Sequence, residues 1–158
     1  MSPRGISPPP FSGEISVEVV SSEHLRRFTN IAIDRARQSK MERHCAELEL
    51  QDQVRAEFMD APYTVEEFIK LEKRILIAAR EGQYQTEVMS FPAAYCTDNG
   101  RAINNSEKDW PTTLKGKAAR FYDVWQSIAR PKGYRLIAYI KDFPNGFPGD
   151  VSLLLDWS

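Results

Sequence analysis

Residues 112–158 constrain the fold most, because they read as one helix followed by two strands. Leu114, Ala118, Phe121, Trp125 and Ile128 recur three or four apart, the period of a helix with one buried face. Thr112 and Thr113 stand at its start, and Pro131-Lys132-Gly133 stops it. The helix is expected over about 112–130. Residues 134–141 and 151–157 then turn to strand composition. Tyr134, Leu136, Ala138 and Ile140 share one face of the first strand, and Val151, Leu153, Leu155 and Trp157 share one face of the second. The opposite faces mix Arg135, Ile137, Tyr139, Lys141, Ser152, Leu154 and Asp156. Such a sheet is packed by helices on its first face and touched by something else on its second.

No glycine or proline lies between Ser21 and Asp60, so a long or kinked helix is expected over about 22–59. Leu25, Phe28, Ile31 and Ala32 form its first apolar face, and the stripe resumes at Met41, Cys45, Leu48, Val54 and Phe58. Ala61-Pro62-Tyr63 is a turn, and Thr64-Val65-Glu66-Glu67 is a capping box that opens a helix over about 64–81. Val65, Phe68, Ile69, Ile75, Leu76 and Ala79 are expected to face inward. The short turn favours an antiparallel pairing of these two helices. A strand is expected over about 84–90, interrupted at Phe91-Pro92, with 94–97 as its possible continuation and 101–105 as a return strand or loop. Asp98-Asn99-Gly100 is the turn between them. A weak alternation over about 15–20 suggests one more strand, after a proline-rich arm at 1–13 that is expected to be disordered. The whole predicts an α+β fold: a long N-terminal helical hairpin, a small antiparallel sheet and one sheet-packing helix, as a single domain over 14–158.

At 158 residues and 42% apolar content the chain can build a core without metal or disulfides. The two cysteines, Cys45 and Cys96, are too few for a disulfide framework, which points to a reducing, cytoplasmic setting. No window is apolar enough to span a membrane, and the N-terminus does not read as a signal peptide.

Catalytic residue types are scarce. His24 and His44 are the only histidines, and no helical spacing gives either more than one carboxylate neighbour, so neither metal nor cofactor is expected. The scattered glycines form no phosphate-cradling loop. Cys96 with Asp98, Asn99 and Arg101 is the best enzymatic or small-ligand cluster, but it lacks a histidine base nearby in sequence.

Two other features point to binding. The connection 142–150 carries two Phe-Pro pairs around Asn-Gly, so Phe143 and Phe147 either plug the end of the core or are presented to a partner on a stiff loop. Ile137 and Tyr139 on the second sheet face, and Trp110 before the last helix, complete the candidate partner-binding set. Charge is also segregated. Residues 26–43 hold six basic side chains against two acidic, 47–67 seven acidic against Arg55, and 101–141 nine basic against three acidic. Within the last group Lys115, Lys117, Arg120, Arg130, Lys132 and Arg135 are candidates for nucleic-acid contact. The net charge of -1 gives no global preference for such a partner. The leading expectation is a non-catalytic protein–protein interaction protein, acting as a homodimer or as an accessory subunit. A nucleic-acid-binding accessory protein comes second, and a ligand or enzymatic site near 96–101 third.

Overall fold

The computed structural model describes Gly5, Gly13 and residues 18–158. The chain divides into two compact units, Met1–Glu47 and Leu48–Ser158. Most of the expected proline-rich arm, and residues 15–17 of the expected first strand, lie outside the described residues. Residues 18–20 are not in a strand.

Helix α1 runs unbroken over Ser22–Asp60, as the absence of glycine and proline allows. None of its residues is buried, and Leu25, Phe28 and Ile31 of its first apolar face are 53%, 63% and 48% exposed. Within the second unit the end of α1 turns Phe58 onto Phe91 and Tyr95, at ring separations of 5.2 and 5.0 Å.

Helix α2, Val65–Arg80, begins with the capping box that the sequence specifies. The Glu67 amide donates to Thr64 Oγ1 at 3.2 Å, and the Thr64 amide donates to Glu67 Oε2 at 3.0 Å. Its buried positions are Leu71 and Ala78, with Ile75 packed beside them. Val65, Ile69, Leu76 and Ala79, expected to face inward, are exposed, because the core accepts only the Leu71–Ala78 side of the helix.

The sheet has three antiparallel strands, β1 (Gln85–Pro92), β2 (Arg135–Ile140) and β3 (Asp150–Asp156), in the order β1-β3-β2. The C-terminal strand is central, which explains its near-continuous apolar run: Val151, Leu153 and Leu155 are buried on one face, and Ser152 and Asp156 on the other. β1 does not break before Phe91. Its register against β3 slips between Glu87 and Met89, leaving Val88 as a bulged extra residue. The slip changes the alternation, so Val88 and Phe91 both reach the core and the strand continues to Pro92. Arg74 of α2 donates to the carbonyls of Glu87 and Val88 at 3.0 and 3.3 Å, capping the bulged edge.

After β1 the chain makes a 3₁₀ turn at Ala93–Tyr95, where a continuing strand was expected, and a helical turn α3 at Arg101–Asn104, where a return strand or loop was expected. The last helix also starts later than its periodicity suggests. Trp110–Thr113 is a 3₁₀ turn, and α4 spans Gly116–Val124. The hydroxyls of Thr112 and Thr113 donate back to the carbonyls of Asp109 and Trp110, both at 2.7 Å, closing that turn instead of capping a helix. α4 passes into a π turn, Trp125–Ala129, and a 3₁₀ turn, Arg130–Lys132. Ala118 and Phe121 of α4 pack with Leu71, Val88, Phe91, Val151, Leu153 and Leu155 into one core on the inner sheet face. This is the expected α+β architecture with its sheet-packing helix.

Candidate interaction surface

The β2–β3 connection is braced at its base. Asp142 accepts the Gly149 amide on its carbonyl at 2.9 Å and the Asp150 amide on Oδ1 at 2.8 Å, while the Lys141 amide donates to the Asp150 carbonyl at 2.8 Å. A side chain at Gly149 would collide with the Asp142 carboxylate, so the sharp return needs glycine there. Inside the loop the amides of Gly146 and Phe147 donate to the carbonyls of Phe143 and Pro144, each at 3.1 Å, and Asn145 sits at φ +54°. Phe143 and Phe147 are 50% and 73% exposed. The two rings therefore do not plug the core. They are displayed on a loop stiffened by two prolines and paired amides.

The outer sheet face adjoins this loop through β2 and β3. Its registered rows are Gln85–Asp156–Arg135, Glu87–Leu154–Ile137 and Ser90–Ser152–Tyr139. Ile137 and Leu154 are half-buried and Tyr139 is 43% exposed. Arg135 pairs with Asp156 at one end of this face, and Lys141 reaches across it to Glu87 in the Leu154 row, each at 2.8 Å. Hydrogen bonds from Ser158 and then from Arg135 hold the Asp156 carboxyl below its ordinary range. The hydrogen bond to Glu87 raises Lys141 above the usual lysine value. By register the Lys141–Glu87 bridge passes the level of Ser152, whose buried hydroxyl has no protein partner. Ile137, Leu154 and Tyr139 thus share this face with two fixed ion pairs, giving it mixed apolar and charged character.

Trp110 does not belong to this surface. It is half-buried and packs edge-on against Tyr122, at a ring separation of 6.5 Å.

The basic residues of 101–141 are largely engaged within the fold. Lys117 pairs with Glu67, joining α4 to the first turn of α2. Burial acts to raise the Glu67 carboxyl, but hydrogen bonds from Lys117 and Thr64 outweigh it and leave the carboxyl below its usual value. Arg120 donates to backbone carbonyls at the end of α1, Arg135 to Asp156 and Ser158. The Arg130 guanidinium lies 5.9 Å from the Trp125 ring centre. Lys115 and Lys132 are exposed.

The 96–101 cluster is assembled for turn formation. Asp98 accepts the amides of Gly100 and Ala102 at 3.0 and 2.8 Å, capping α3. Cys96 is buried, and burial together with the Asp98 charge pushes its thiol up to about 11, against an opposing hydrogen bond with Thr113. A thiol held protonated is a poor nucleophile. A separate apolar pocket of about 100 Å³ lies between α2 and the π turn, walled by Phe68, Leu71, Ile75, Phe121 and Trp125, with Glu72 and Lys132 also in its lining. None of residues 96–101 lines it. The Trp125 indole N–H has no protein partner.

Among the described residues no group of three potential ligands is placed to hold a metal ion, and no helix is long and apolar enough to cross a membrane. Sequence reasoning missed the exposed stripe of Val65, Ile69 and Leu76 on α2, because an apolar stripe looks alike whether it faces the core or a partner. No protein-family model matches the chain, and neither a curated protein nor a solved structure is significantly similar to it.

Proposed function

We propose that this is a non-catalytic protein–protein interaction protein that serves as an accessory subunit, with the Phe-Pro loop and the outer sheet face as its docking surface. The observation that carries the reading is the exposure of Phe143 and Phe147 on a loop braced by Asp142 and Gly149. Rings on a stiff loop lose little conformational freedom on binding, so their apolar area is available to stabilise a complex. Ile137 and Tyr139 lie on the outer face of β2, the strand that leads into this loop, and offer further apolar area to the same partner. Two unpaired thiols, Cys45 and Cys96, fit a reducing cytoplasmic setting.

The test is a photo-crosslinking amino acid placed at position 147 of the full chain in its native cells. A discrete protein adduct is expected, and it should disappear when Phe143→Ser is added. A pattern indistinguishable from that of a label at exposed Lys108 would overturn the reading.

A further inference from the structure

We infer that two copies of this chain join edge to edge through β2, antiparallel about a two-fold axis at Ala138, so that their sheets become one. This goes beyond the reading above and does not depend on it. β2 pairs only with β3, so its other side is an edge of the sheet. The Lys141 amide donates to the Asp150 carbonyl, and in an antiparallel ladder alternate registered pairs exchange such bonds. Arg135, Ile137 and Tyr139 therefore bond to β3, while Leu136, Ala138 and Ile140 turn their amides and carbonyls to the open side. Among the described residues no other element bonds to these groups. The start of α3 meets β2 only through a side chain here: Ile140 Cδ1 lies 3.4 Å from where Gly100 would carry a Cβ.

Proteins ordinarily blunt such an edge with a proline, a bulge or an outward-leaning lysine. The opposite edge, β1, is blunted by its Val88 bulge, by Pro92 and by Arg74 on its carbonyls. β2 has none of these devices. Leu136-Ile137-Ala138-Tyr139-Ile140 is an unbroken apolar run in even register. The cations on either side of it lean back over the sheet, Arg135 to Asp156 on β3 and Lys141 to Glu87 on β1, and leave the edge clear.

Symmetry selects the occupant. The open run is closed at both ends, where the Tyr134 amide donates to the Ala129 carbonyl at 3.3 Å and the Asp142 carbonyl accepts the Gly149 amide at 2.9 Å. Both stops lie equally far from Ala138. An axis there sets Leu136 opposite the other copy's Ile140 on the core face, with about six new backbone hydrogen bonds. On the outer face it sets Ile137 opposite the other copy's Tyr139, which is 43% exposed in the single chain, at the close spacing of a non-bonded pair. Arg135 comes opposite the other copy's Lys141, and each is already neutralised within its own chain. An unrelated strand could use the same bonds, but it would not need the run to be centred.

The experiment uses the full chain. Sedimentation over a range of concentrations should show a monomer–dimer equilibrium. Amide exchange should find Leu136, Ala138 and Ile140 protected in the dimer and fast on dilution, with Ile137 and Tyr139 protected throughout. Ala138→Pro removes an amide that β3 does not use, so it should give a monomer that still unfolds cooperatively. Tyr139→Lys, at an exposed position, decides the matter if the proline variant fails to fold, and should weaken the dimer roughly tenfold or more. A monomer at every concentration, as a foreign strand would leave it, would overturn the inference. So would a dimer whose Leu136, Ala138 and Ile140 amides exchange fast, or one that Tyr139→Lys leaves unweakened. Both variants keep Phe143 and Phe147, so the crosslink at position 147 succeeds or fails separately.

Discussion

Arg120 of α4 donates from one guanidinium nitrogen to the carbonyl of Ala61 at 2.7 Å and also to that of Met59 at 2.8 Å. The last carbonyls of a helix have no partner within it, and here a side chain some sixty residues later supplies one. The charge also suits the negative end of the α1 dipole, where Glu57 and Asp60 do not. Arg120→Ala should therefore lower stability by about 1 kcal/mol, below the usual range for a charge-assisted bond because the side chain is exposed. Urea unfolding of the two proteins measures this directly. A shift within experimental error would mean that solvent replaces the guanidinium without cost.

The same junction fixes Gly116. It sits at φ +59°, and a Cβ there would lie 2.7 Å from Met59 Cα and from the Phe58 carbonyl oxygen. Both obstacles are backbone, so neither can rotate aside. Gly116→Ala should cost roughly 2–4 kcal/mol, combining left-handed strain with a backbone clash. Gly82 is the control. Its φ of +81° is similar but its surroundings are open, so Gly82→Ala should cost only about 1–2 kcal/mol. Equal losses at the two positions would show that α4 does not meet the end of α1 this closely.

The two thiols should separate cleanly. Cys45 is exposed on α1, whereas Cys96 is buried with its pKa pushed up to about 11. At pH 8 a thiol-reactive dye should label one cysteine per chain at once, and the second only on addition of denaturant. Cys45→Ser should abolish the fast phase. A fast phase that persists in this variant would mean that Cys96 is reachable in the folded protein, and would reopen the 96–101 cluster as a reactive site.

Local signals in the sequence were read well where the chemistry is local. The Thr64–Glu67 capping box, the unbroken α1 and the apolar central strand all follow from neighbouring residues. What could not be read depends on partners far along the chain. The Val88 bulge is visible only against β3, and it carries Phe91 into a strand that the Phe91-Pro92 pair is expected to interrupt. Lys117 and Arg120 resemble phosphate ligands by composition, yet they face Glu67 and the end of α1. The candidate surface was half legible. Two Phe-Pro pairs announce a stiff loop, but nothing in their order says whether the rings turn inward or out. Only the folded loop, with both rings exposed, gives that direction.

The Glu67–Lys117 pair makes stability depend on pH in a defined direction. In the folded chain, hydrogen bonds from Lys117 and Thr64 leave the Glu67 carboxyl below its ordinary value of 4.5, despite the opposing effect of burial. A depressed folded value means that the unfolded chain takes up the proton first. The contribution is therefore complete above pH 4.5, and is lost as pH falls through the ordinary value and then the folded one. Both side chains are about a third exposed or less, so the pair is only partly screened and should contribute about 1 kcal/mol. Glu67→Gln keeps an acceptor for the Thr64 amide but removes the charge. It should lower stability at pH 7 and flatten the acid limb of the stability–pH curve, while Lys117→Met should reproduce most of the loss at pH 7. If Glu67→Gln left the acid limb unchanged, Asp156 would be the group to substitute next, because its carboxyl is depressed in the same direction by Ser158 and Arg135.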